Sequence, residues 1–174
     1  MSRADAERDA VASIPGFQIA RTVNAPIARV WKAWTEADQL KRWWGPKGFD
    51  ILDVKVDLRP GGIMHYGLRS PDQIEFWGRF VYREIVPEKR LVFVVSFADK
   101  DANPVRNHWN AEWPLEILST VEFEENGGRT TVTVRWIPLN ATDAEIRAFD
   151  AGRESMKQGW SGTLDQLEGH LPGN

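Results

Sequence analysis

The stretch TDAEIRAFDAGRESMKQGWSGTLDQLEGHL, residues 142–171, decides the fold. Thr142 and Glu145 stand at capping-box spacing, which marks a helix start, and Pro172-Gly173 marks its end. Between them Ile146, Phe149, Met156, Trp160, Leu164, Leu167 and Leu171 recur at helical spacing. One face of a long helix is therefore apolar and needs a surface to cover it. Gly152, Gly159, Gly162 and Gly169 interrupt the run; each costs about 1 kcal/mol against alanine, so they mark places for a kink or a close backbone approach.

The cover comes from upstream. From Phe49 the hydrophobic period is two, and strands are expected near 49–57, 63–69, 75–86, 90–98, 115–124 and 129–137. Pro60-Gly61-Gly62, Ser70-Pro71-Asp72, Pro87-Glu88-Lys89 and Asn126-Gly127-Gly128 punctuate them, and such short turns imply antiparallel neighbours. Another strand, Phe17 to Val23, precedes two short helices. The first carries Ile27, Val30, Trp31 and Trp34 on one face; the second carries Leu40, Trp43 and Trp44. The expected order is β-α-α-β6-α, an α+β fold in which a curved antiparallel sheet wraps around the long C-terminal helix. Residues 1–16 read as an N-terminal arm, 17–171 as the domain and 172–174 as a tail. Residues 99–114 read as a long loop, a length that marks function or mobility.

Composition narrows the chemistry. The chain has 174 residues, roughly one domain. It has no cysteine, which excludes disulfides, thiolate metal sites and cysteine nucleophiles. Lys and Arg number 22 against 25 Asp and Glu, a net charge of −3 that argues against nucleic acid as a partner. No apolar run approaches the ~18 residues of a membrane span, and no secretory segment is legible, so a cytoplasmic location is expected. Nine tryptophans against three histidines favour aromatic surfaces over histidine-based catalysis or metal binding. No cofactor and no metal is implied.

Three polar features stand out. Arg153 falls in the slot sequence 149, 153, 156, 160, so a continuous helix would aim its guanidinium at the sheet, to meet a carboxylate, an anionic ligand or water. His108 sits in the long loop, within reach of a cavity mouth. His65 alternates with Met64 and Tyr66 and so points away from the helix side. The helix-facing sheet residues are expected to be Met64, Tyr66, Phe76, Phe80, Tyr82, Phe93, Val95, Phe97, Ile117, Val121, Val134 and Trp136.

Several segments carry a family resemblance. They are Ala25-Pro26 with Val30-Trp31-Lys32-Ala33-Trp34-Thr35, Leu40-Lys41-Arg42-Trp43-Trp44-Gly45-Pro46, Asp57-Leu58-Arg59-Pro60-Gly61-Gly62, Arg83 to Leu91, and Gln158-Gly159-Trp160. In this order they resemble the START-like (SRPBCC, Bet v-type) superfamily. Within it, the chain resembles the activator of heat-shock-protein-90 ATPase homologue family in its bacterial stand-alone form, over about residues 17–171. The resemblance implies the helix-grip fold and a hydrophobic cavity between sheet and long helix. Relatives across the superfamily bind lipids, sterols, polyketides and hormones, and a few are cyclases or hydrolases. The shared motifs are turn and packing residues and supply no catalytic residue.

The resulting expectation is a binding protein for a hydrophobic or aromatic small molecule, with an anionic group held by Arg153. The ligand contacts would be Tyr66, Phe80, Trp109, Trp113, Ile117, Arg153, Met156 and Trp160. A cyclase- or hydrolase-type enzyme using Arg153, Glu116 or His108 is the alternative. A chaperone partner docking on an exposed Trp43/Trp44 surface is a third reading. Monomer and homodimer both fit.

Overall fold

The computed structural model describes residues 16–171. The expected arm over 1–16, Gly16 apart, and the tail at 172–174 lie outside the described residues. Eight strands form one sheet: β1 (Phe17–Val23), β2 (Asp50–Val56), β3 (Ile63–Arg69), β4 (Glu75–Val86), β5 (Arg90–Ala98), β6 (Pro104–Val105), β7 (Ile117–Asn126) and β8 (Arg129–Pro138). Their order is β1-β8-β7-β5-β4-β3-β2, all antiparallel, with β6 paired to β5 beyond the end of β7. Register shifts between Ile51 and Asp53 and between Tyr82 and Glu84 mark irregularities of the bulge kind, which bend a sheet. The result is a curled half-barrel, and its fold is the α+β helix-grip kind.

Why one face turns inward follows from the alternation. Met64, Phe80, Tyr82, Phe93, Val121 and Val134 are all buried, and they share the concave side with α4 (Arg153–His170). On that helix Met156, Trp160, Leu164 and Leu167 are buried against them.

Two short helices, α1 (Ile27–Thr35) and α2 (Ala37–Trp43), close one end. Pro26 precedes α1, where its fixed φ suits a helix start. Trp43 is fully buried and its indole N–H donates to the Ala33 carbonyl at 2.9 Å. Trp44 is also buried, at 6% exposure. An exposed Trp43/Trp44 docking surface is therefore ruled out: both indoles pack inward, against Trp34 and each other. Gln166 of α4 ties this end down, its amide nitrogen donating to the carbonyls of Trp43 and Gly45.

The single helix expected over 142–171 is two. The capping box at Thr142 and Glu145 opens α3 (Asp143–Ala151), and the chain breaks at Gly152, with φ −89° and ψ 8°, before α4 begins. Gly152 also meets a residue from elsewhere in the chain. A Cβ at position 152 would sit 2.9 Å from the Trp113 ring, so the glycine leaves a notch that this indole fills.

The long loop is not structureless. Beside the short β6, its start is held by the Asp99 carboxylate, which accepts from Asn103 N–H, Asp101 N–H and the Asn103 amide. His65 Nε2 donates to the Asp99 carbonyl at 2.9 Å, and Arg79 donates to the Ala102 carbonyl at 3.1 Å. Its far part is pinned to one side chain: Glu145 Oε2 accepts from Arg106 at 3.2 Å and from Leu115 N–H at 3.2 Å. Residues 107–114 thus leave and return through a single carboxylate on α3. Burial opposes ionisation of Glu145, but the hydrogen bonds from Leu115, Thr142 and Arg106 outweigh it and hold the carboxyl below its ordinary range.

Two outcomes are expected. Trp43→Ala removes a fully buried indole and its hydrogen bond, so the unfolding free energy should fall by about 3–5 kcal/mol in urea titrations. Glu145→Ala should cost about 1–3 kcal/mol at neutral pH, since Leu115 N–H loses its acceptor and α3 its capping box. Because the folded-state pKa is depressed, the Glu145 contribution is complete above the unfolded value. The gap between variant and wild type should therefore narrow as pH falls below 4.5 and through the folded value, read by thermal unfolding from pH 7 to 3.

Candidate functional site

Between the concave face, the loop and the α3–α4 junction lies a pocket of about 980 Å³. That is at the upper end of the range for small-molecule sites. Its sheet wall comes from Tyr66 and Leu68 of β3, Phe76 and Phe80 of β4, Val95 to Phe97 of β5, Ile117 of β7 and Trp136 of β8. Trp44, Trp160 and Thr163, all buried, close another side. The loop contributes Asn107, Trp109, Asn110, Glu112, Trp113 and Pro114.

The aromatic wall is ordered by edge-to-face contacts. Trp44 meets Tyr66, Phe80 and Trp160 at centroid distances of 5.6, 5.3 and 5.8 Å, and Trp136 meets Trp160 at 5.6 Å. Tyr66 lies across the sheet over Gly78, its register partner, because a Cβ there would run into the Tyr66 ring. Burial pushes the Tyr66 phenol well above its ordinary pKa, with the Trp44 indole opposing weakly, so Tyr66 is neutral across the physiological range. Trp109 is 53% exposed and leans edge-on against Phe76 at 5.2 Å. Trp113 packs on Phe149 at 5.6 Å.

The helix wall is built from small residues. Ala144, Ala148, Ala151, Gly152, Ser155 and Gly159 line the pocket at helical spacing, with Arg147 among them. A Cβ at Gly159 would meet nothing within 4 Å, so this glycine borders open space. Two lining residues carry charge, Arg147 and Glu112, and both are exposed.

Of the eight expected contacts, the structure brings seven around this pocket: Tyr66, Phe80, Trp109, Trp113, Ile117, Met156 and Trp160. Arg153 is not among them. Its Nε donates to Asp150 at 2.6 Å and its Nη1 to the Gly16 carbonyl at 2.7 Å. The slot assigned to Arg153 assumed a continuous helix, and the break at Gly152 removes that assumption. The acid–base set of Arg153, Glu116 and His108 is likewise not assembled at the pocket. His108 borders a separate hollow of about 230 Å³ with Ile74, Trp77 and Val105. Sequence reasoning missed Arg147 and the small-residue face. The recurrence of Ala and Gly at 144, 148, 151, 152 and 159 was the available signal. Among the described residues, no group of three or more His, Cys, Asp or Glu could hold a metal ion, and no helix is long and apolar enough to cross a membrane.

Solved structures share this architecture. A protein from Nitrosomonas europaea is 25% identical, with a TM-score of 0.72 over 92% of this chain and 96% of its own. A protein from Arthrobacter aurescens, also 25% identical, has a TM-score of 0.74 over 94% and 89%. A protein from Mycobacterium smegmatis, at 24% identity and a TM-score of 0.75 over 94% of both chains, shares the fold. No curated protein matches the chain. Residues 24–172 match the family described as activator of Hsp90 ATPase homolog 1-like protein. That match spans most of the chain, which therefore belongs to this family.

Proposed function

We propose that the protein is a cytoplasmic binder of an apolar or aromatic small molecule, held between the sheet and the α3–α4 wall. One observation carries the reading: a pocket of about 980 Å³ walled by aromatic rings on one side and by alanine and glycine on the other. Burying apolar ligand surface there is favourable at about 25 cal/mol per Å² before the costs of association. The small residues leave the space open, and the rings give it a flat, apolar lining. The lining holds a buried neutral phenol and no paired acid and base, which favours binding over acid–base catalysis.

Native mass spectrometry of freshly purified protein tests the reading directly, with retained small-molecule mass expected. Titration with N-phenyl-1-naphthylamine, a neutral apolar fluorophore, supplies a defined probe. Wild type should bind it saturably. Gly159→Leu, which grows a side chain into the pocket, should weaken it by about tenfold or more, equivalent to about 1.4 kcal/mol. Gly159→Ala should leave the protein folded and up to about 1 kcal/mol more stable. Equal, non-saturating fluorescence in wild type and Gly159→Leu would defeat the proposal.

A further inference from the structure

We infer that the ligand is an amphipathic organic anion, whose carboxylate or sulfonate meets Arg147 at the pocket rim while its apolar body lies over Gly159. The inference rests on the binding reading and adds the charge of the ligand and the residue that recognises it.

The rim is rich in unused hydrogen-bond donors. Asn107 Oδ1 accepts from Trp109 N–H at 2.7 Å and Asn110 N–H at 3.2 Å. Asn110 Oδ1 accepts from Glu112 N–H at 3.0 Å. Both amide oxygens are thus engaged by the loop backbone, which fixes the orientation of each amide and leaves its NH₂ group as the free end. Neither NH₂ has a partner among the described residues. Arg147 adds a guanidinium with no ion pair or hydrogen bond among the described residues, and it is the one arginine of the pocket lining.

Position favours Arg147 over Glu112, the one acidic residue of the lining. Arg147 stands on α3, whose start is fixed by the capping box and whose Glu145 is bonded to the loop neck. Its neighbours on the pocket side are Ala144, Ala148 and Ala151, which leave the guanidinium unobstructed. Glu112 stands in the exposed loop, between the two donor amides and Trp113. A planar guanidinium fork matches the two oxygens of a carboxylate, so an acceptor head group satisfies Arg147 and the amides together. A cationic head would leave these donors to water and stand against the charge of Arg147.

A pair of fluorophores that differ by one sulfonate isolates the claim. These are 8-anilino-1-naphthalenesulfonate, which is anionic, and N-phenyl-1-naphthylamine, its neutral counterpart. Wild type should bind the anion more tightly than the neutral probe, by a margin that shrinks with added salt. Arg147→Gln should weaken the anion about three- to tenfold, the scale of a rim ion pair, and leave the neutral probe unchanged. Arg147→Glu should weaken the anion further, and Glu112→Gln should leave its affinity equal or higher. Arg147 is exposed, so these variants should unfold at the wild-type temperature. Neutral-probe binding with no preference for the anion, or an Arg147→Gln effect equal for both probes, would overturn the anion assignment alone. Saturable binding of neither probe would overturn the binding reading, and this inference with it.

Discussion

Trp160 holds the molecule together. Its indole stacks near Trp34 of α1 at 6.2 Å and meets Trp44 at 5.8 Å and Trp136 of β8 at 5.6 Å. Helix α1, the residue that follows α2 and strand β8 therefore converge on one side chain of α4. A curled sheet with one apolar face cannot be stable until that face is covered, and the covering helix must be fixed in rotation as well as in place. Rings set edge-to-face do both, because their geometry is specific as well as apolar. The salt bridges at the far end of α4, Arg21 to Asp165 and Glu168, are largely exposed and add orientation more than energy.

The same arrangement that fills one end leaves the other open. Below Trp160 the stripe continues through Leu164 and Leu167, which pack without space. Above it the helix changes to Gly159, Ser155, Gly152 and Ala151, side chains too short to reach the sheet. A core packs to crystal-like density only where side chains meet. The pocket is therefore what remains where the helix stops supplying volume, and the loop tryptophans cover it. Glu145 matters to this although it does not line the pocket. It closes the helix cap, anchors the loop neck and so sets where Trp109 and Trp113 lie.

Family membership and this geometry answer different questions. The family match and the solved structures establish how the chain folds. The chemistry has to be argued from the pocket, since one fold hosts many functions. Here the pocket has aromatic walls, a neutral phenol and a donor-rich rim, and the proposed binding role rests on those features.

Much of this was legible in the order of residues. The alternation from Phe49 to Ile137 set the strands, because a half-buried sheet imposes a period of two. The capping box and the leucine and tryptophan stripe set the helix that covers it, and Tyr66, Phe80, Ile117, Met156 and Trp160 stand at the pocket on the faces these periods define. Tertiary contact alone decided the rest. Gly152 was legible as a place for a kink, but its partner was not: the Trp113 ring, 39 residues earlier, lies where a Cβ would stand, and no local pattern encodes that meeting. Arg153 turns to Asp150 and Gly16, and Arg147 stands at the rim. Periodicity reports where large side chains must be buried; an empty space is defined by what does not reach it, which depends on every wall at once.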